Sequence, residues 1–297
     1  MTTNANRRSR NQTGPICLVK DSSVELAFIG AGHMAEAMAR GILRGRRIAP
    51  SRMAAADPAP SRRRRFRALG LRVTSSSAGA AAAARVVILA VKPQQADAAL
   101  AQLRGAVGPG QLVISIVAGL PTRAIERVLG TRTAVVRAMP NLPMVVGEGA
   151  TAIAAGRAAR AADIRRVRAL FETSSRTLVL PERHLDAVTA LSGSGPAYVA
   201  FFLEHLARGA VAAGLRPCDA RFLALQTFRG TAALLSATGD TPEELRCRVT
   251  TPGGTTQAGI AILTRRGADG IIADAVRAAA RRARELGASR KYNGDAR

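Results

Sequence analysis

The residues best placed to do chemistry in this chain are glycines and hydroxyls rather than an acid and base pair. Between residues 25 and 35 the run ELAFIGAGHMA passes from an apolar stretch through glycine into a helical pattern. That is the strand, turn and helix start in which a G-x-G-x-x-A spacing counts as a dinucleotide fingerprint. Gly30 permits the tight turn, Gly32 lets the backbone approach a pyrophosphate, and Ala35 lets helix and strand pack closely. Ala31, His33 and Met34 complete the loop, whose free N–H groups face the phosphates. A second stretch, TPGGTT at residues 251–256, is a Pro-Gly-Gly turn that opens a helix. Its Thr251, Gly253, Gly254, Thr255 and Thr256 would present N–H and O–H donors to a small carboxylate, or would simply start a helix, since Thr is a good N-cap. LSGSGP at 191–196 reads either as a loop approaching a ligand or as a linker needing glycine torsions.

Other chemistries lack their residues. His33, His184 and His205 have no HExxH or Cys partner spacing, which argues against hydrolytic zinc and against a Cys/His nucleophile. Ser194 sits in GSG rather than in a strand-borne GxSxG. The chemistry must therefore come from a cofactor.

The elements that position these residues follow from hydrophobic periodicity. From 24 to about 180, short apolar runs alternate with helical patterns, the signature of a parallel sheet covered on both faces. Strands are expected at 52–56, 71–73, 86–91, 112–118 and 134–139, with two further edge strands at 151–154 and 177–180 around a helix at 161–173. Ser61 is expected to cap the helix carrying the arginine run 62–65. After Pro181 only Ala/Leu-rich helical patterns remain, broken by Gly or Pro at 192–196, 214–217, 239–242 and 252–254. The expected architecture is α/β: a Rossmann-type doubly wound sheet over 24–181, then an all-α half over 182–290 whose apolar faces find a partner subunit, with tails at 1–23 and 291–297.

Ligands of such sheets sit beyond the carboxyl ends of the strands. That places Asp57, then Ala90, Val91, Lys92 and Pro93, then Val117, Ala118 and Gly119 beside the fingerprint. Asp57 would accept from a ribose hydroxyl, as in an NAD site, whereas Arg62 and its neighbours would bind a 2′-phosphate, so the two signals point to different coenzymes.

Composition bounds the rest. With 44 basic against 20 acidic residues the net charge is +24, which would ordinarily suggest a polyanion partner. Nearly all the excess is arginine scattered along amphipathic segments, and with no Trp and two Tyr the stacking platforms of single-strand binders are missing, so nucleic acid is not expected. Cys17, Cys218 and Cys247 are odd in number and far apart, which fits a reducing, cytoplasmic setting. No apolar run is long enough to span a bilayer, and residues 1–23 lack the apolar core of a secretory signal, so no membrane is expected.

Five stretches in order, FIGAGHMAEA, AVKP, VRAMPN, LSGSGPAYV and TPGGTT, identify a resemblance to the pyrroline-5-carboxylate reductase family over about residues 24–288. The last three are specific to that family, whereas the fingerprint is shared by Rossmann dehydrogenases generally. The resemblance implies NADPH, with NADH as the alternative, and reduction of 1-pyrroline-5-carboxylate to L-proline. It also implies a helical half that dimerises, often into larger rings, with each active site between one nucleotide domain and the mate's helices. Carried onto this chain, it implies cofactor contacts at Ser77 and Glu182 as well as at the loops named above. Thr251, Thr255 and Thr256 would hold substrate, with Thr256 Oγ at the ring nitrogen. His33 and Ser77 stand where the family commonly has Asn, and Leu142 where it has Thr.

Overall fold

The computed structural model describes residues 24–288; the tails expected at 1–23 and 291–297, with Cys17, lie outside the described residues. The strands are β1 (Val24–Ile29), β2 (Met53–Ala56), β3 (Arg72–Thr74), β4 (Ala84–Leu89), β5 (Leu112–Ser115), β6 (Ala134–Met139), β7 (Gly149–Ala155) and β8 (Ser175–Val179). Between them run α1 (His33–Arg44), α2 (Pro60–Ala68), α3 (Ser77–Ala83), α4 (Ala96–Leu103), α5 (Thr122–Leu129) and α6 (Ala161–Phe171). All eight strands join one sheet in the order β3-β2-β1-β4-β5-β6-β7-β8.

Side-chain alternation in β1 shows why both faces must be covered. Leu26 and Phe28 point into one core with Met38 and Ile42 of α1, Phe66 of α2 and Phe171 of α6. Ala27 and Ile29 point into the other, with Ala80 of α3, Leu100 and Leu103 of α4 and Ile125 of α5. A strand buried on both sides reads as a continuous apolar run, as this one does. Phe28 and Phe66 meet edge-to-face with ring centroids 5.9 Å apart, pinning α2 to the centre of the sheet.

Three expectations need correction. β7 is not an edge strand: it pairs with β6 on one side and β8 on the other, so of these two strands β8 alone is at an edge, with β3 at the opposite one. Nor is the sheet wholly parallel, because β7 runs antiparallel to β6. The link at 140–148 is too short for the helical crossover a parallel pair requires. Ser61 does not cap α2 either; the N-cap is Ala59, with Pro60 in the first helical position, where its fixed φ and missing N–H are tolerated.

From Glu182 onward every regular element described is helical: α7 (Leu185–Val188), a π-turn (Thr189–Gly193), α8 (Gly195–Ala212), α9 (Pro217–Thr238), α10 (Pro242–Arg248), α11 (Thr255–Arg265) and α12 (Ala268–Ala288). The breaks fall where glycine and proline sit, with Gly239 closing α9 in the left-handed conformation at φ +75°. One further break, at Gly267 with φ +68°, separates α11 from α12. Within one chain α8 buries no residue and α9 only Ala220. Phe201, Leu206, Phe222 and Leu225 are among the large apolar side chains left more than half exposed.

Candidate active site

The glycine turn is shaped from both sides. Gly30 has φ +95°, and a Cβ there would stand 2.8 Å from the Ala90 carbonyl oxygen and 3.0 Å from Val91 Cγ1. Glycine is thus required by torsion and by space at once. The Ala90 N–H donates to Ile29 C=O at 2.8 Å, which brings the start of the 90–93 loop against the fingerprint. Helix α1 begins at His33 with Gly32 as N-cap and no side chain capping it. Its first helical bond runs from Glu36 N–H to Gly32 C=O, which leaves the N–H groups of His33, Met34 and Ala35 facing outward. Such a helix start favours an anion. Glu36, in the first turn, is balanced by Arg40 at 2.8 Å and Arg65 at 3.4 Å.

Asp57 is placed differently from the ribose acceptor expected of it. Its carboxylate is buried, with Oδ2 accepting from the Ala31 N–H and Oδ1 from the Ala59 N–H, both at 2.9 Å. Two backbone donors hold the group as a brace between the glycine turn and the β2–α2 turn. Glu182, expected to touch the cofactor, is likewise engaged internally: Oε1 accepts from Thr122 N–H and Oε2 from Thr122 Oγ1, each at 2.7 Å. The guanidinium of Arg137, buried in β6, lies 3.6 Å from Glu182 and 3.0 Å from Asp186. Nothing in the motif reading pointed to this cluster, although a lone arginine inside the apolar run AVVRAM was a signal that a buried charge needs acidic partners.

The remaining cofactor candidates fall at strand ends. Ser77 opens α3 just after β3, half-buried, with Ser76 rather than Ser77 capping that helix. Lys92 and Pro93 begin a 3-10 turn after β4, with Lys92 exposed. Val117 and Ala118 follow β5, where Ser115 Oγ accepts from Val117 N–H at 3.3 Å and the chain leaves the ladder earlier than expected. Gly119, at φ +69°, is covered: a Cβ there would meet the α12 backbone at Ala283 O (2.9 Å) and Gly287 N (3.0 Å). Helix α12 therefore lies directly on this cofactor-side loop.

Two motifs far apart in sequence are brought together. Asn141 Nδ2 donates to Ser192 Oγ at 3.2 Å, and its Oδ1 accepts from Ala150 N–H at 2.8 Å. A Cβ on Gly193 would fall 2.6 Å from Met139 Cε, so the MPN and SGSG segments close on each other. The π-turn that carries Ser192 is a rare geometry, frequent at functional sites.

The 251–256 turn is only partly the donor array expected. Gly253 N–H donates to Gln257 Oε1 at 2.7 Å and Gly254 N–H to Thr251 C=O at 3.0 Å. Both amides are thereby committed, and the two glycines serve the backbone, Gly253 through its φ of +71°. The free donors are the N–H groups of Thr255 and Thr256, the first two residues of α11, beside the threonine hydroxyls. Thr251 and Thr255 are exposed and Thr256 half-buried, and α11 packs chiefly on α12.

A dinucleotide turn at the head of a doubly wound sheet, continued by unpartnered apolar helices, defines a Rossmann-type nicotinamide oxidoreductase. Residues 25–119 match the family model described as NADP oxidoreductase coenzyme F420-dependent, and residues 182–286 match that of pyrroline-5-carboxylate reductase dimerisation. The pyrroline-5-carboxylate reductase of Synechocystis sp. is 42% identical over 89% of this chain and 99% of its own length. That of Pisum sativum is 38% identical over 90% and 98%. Among solved structures, the Coxiella burnetii pyrroline-5-carboxylate reductase superposes with a TM-score of 0.81 at 32% identity, covering 89% of this chain and 98% of that one. The Plasmodium falciparum pyrroline carboxylate reductase, with NADP bound, gives 0.81 at 28% over the same shares. The chain belongs to the pyrroline-5-carboxylate reductase family.

Proposed function

We propose that this protein reduces 1-pyrroline-5-carboxylate to L-proline with NADPH, as a cytoplasmic homo-oligomer built from dimers. The observation that carries this reading is the match to reductases of that name over nearly their whole length, with a coenzyme turn that only glycine can form. When bound, the coenzyme supplies a hydride to the imine carbon, and one proton is taken up at nitrogen to give the amine. The imine is electrophilic once protonated, so the chain's task is mainly alignment, and no strong acid is needed.

Each residue's part follows from its placement. The N–H groups of His33, Met34 and Ala35 receive the pyrophosphate, with Ser77, Lys92, Pro93, Val117 and Ala118 lining the rest of the coenzyme. The N–H groups of Thr255 and Thr256 and the hydroxyl of Thr251 receive the substrate carboxylate, and Thr256 Oγ hydrogen-bonds the ring nitrogen. The exposed start of α11 belongs opposite the glycine turn of a dimer mate, which the bare faces of α8 and α9 support. No helix among the described residues is long and apolar enough to cross a membrane. Several of the arginines are tied locally to acids on their own helices, in pairs such as Arg208–Glu204, Arg216–Asp219 and Arg277–Asp274, as on an ordinary solvated surface.

The test is NADPH oxidation with 1-pyrroline-5-carboxylate, proline being quantified as product, beside a salt-dependent DNA titration. Turnover with stoichiometric proline supports the assignment. Absence of proline, or slow turnover with tight salt-sensitive DNA binding, overturns it.

A further inference from the structure

We infer that Arg62 is the residue that selects NADPH over NADH, by binding the 2′-phosphate of the adenosine ribose. This deepens the function proposed above and rests on it. Residues 62–65 are all arginine, and the structure sorts them by what each can still do. Arg63 Nη1 donates to the carbonyls of Asp57 at 2.6 Å and Pro58 at 2.7 Å, which fixes it to the β2–α2 turn. Arg65 pairs with Glu36 at 3.4 Å, and Arg64 is exposed. The guanidinium of Arg62 differs: it is half-buried, makes no hydrogen bond or ion pair within the described residues, and lies over the glycine turn. A Cβ built on Gly32 would stand 3.4 Å from its Nη1.

The acid at the end of β2 would normally oppose a phosphate here, because an Asp in that position accepts from the ribose 2′-hydroxyl. In this chain both Asp57 oxygens are held by backbone N–H groups, and its side chain is buried. The only nearby acid on α1, Glu36, is already matched by two arginines. An unpaired guanidinium beside the turn, facing no free carboxylate, suits a dianionic group through charge-assisted bonds.

Two readouts test this, one independent of turnover. Calorimetric binding of 2′,5′-ADP and of 5′-AMP isolates the 2′-phosphate without nicotinamide or pyrophosphate. Arg62→Ala should weaken 2′,5′-ADP about ten- to a hundredfold more than 5′-AMP. The ratio of kcat/KM for NADPH to that for NADH should fall by a similar factor, with Arg62→Lys intermediate. Arg64→Ala, on the same helix but exposed, should leave the ratio as it is. Equal losses for both nucleotides would place Arg62 at the 5′-phosphate they share and overturn the inference, as would no loss at all. If the parent protein binds 2′,5′-ADP but makes no proline, the proposed reaction fails while the binding result still decides the role of Arg62.

Discussion

Asp57 Oδ2 accepts the N–H of Ala31 at 2.9 Å, a bond that spans 26 residues and ties the end of β2 to the middle of the coenzyme turn. Asp57→Asn replaces one of two acceptor oxygens by a donor, so either Ala31 or Ala59 faces an N–H where it had an acceptor. An unsatisfied buried group costs about 1 to 3 kcal/mol. The expected outcome is a lower Tm together with roughly equal rises in KM for NADPH and NADH. A change confined to NADH would restore the ribose-acceptor role and remove the brace.

At Thr256 the expectation is chemical rather than structural. Thr256→Ala should lower kcat/KM for the imine by about tenfold or more, as loss of one positioned polar group commonly does. Thr256→Ser, which keeps the hydroxyl, should recover most of it. Since the N-cap of α11 is Gly254, with no side-chain cap bond, neither change removes a helix cap, and Tm should hardly move. Unaltered kinetics in the alanine variant would exclude this hydroxyl from the reaction.

Arg137 joins the sheet to the first helical turns of the second half through Glu182 and Asp186. Arg137→Met leaves two partly buried carboxylates without their cation and should cost about 3 kcal/mol in urea unfolding. Adding Glu182→Gln and Asp186→Asn should recover part of that loss. A single variant as stable as the parent would mean the ion pairs contribute nothing net.

Acid should loosen α10 before it reaches the core. Glu244 accepts from Thr241 N–H at 2.8 Å and from its hydroxyl at 2.9 Å, and these bonds, the backbone one foremost, hold its pKa below the ordinary 4.5. A depressed folded-state value means the contribution is complete above the unfolded pKa and is lost as pH falls through the folded one. The Tm deficit of Glu244→Gln relative to the parent should therefore be constant near neutrality and close up below about pH 4. A deficit independent of pH would show that the charge plays no part.

What could be read beforehand was local. Gly30 announced its turn, and Gly214, Pro217, Gly239 and Pro242 announced the ends of helices, because each of those residues acts through its own torsions. The direction of β7 depends on a partner strand, yet the short 140–148 link carried enough information to settle it. Acceptors were harder to place. Whether Asp57, Glu182 or Gln257 faces a ligand or a backbone N–H depends on which distant amide the fold leaves unpaired, and no spacing within one motif encodes that.

The bareness of α8 and α9 has a thermodynamic consequence. In the dimer proposed above, two long helices that meet little besides each other within one chain would draw their stability from the neighbouring copy, and dilution would act on the protein as a mild denaturant. In a dimer that unfolds to separate chains, each tenfold drop in concentration removes about 1.4 kcal/mol of apparent stability. The melting point is then a property of the solution as well as of the chain.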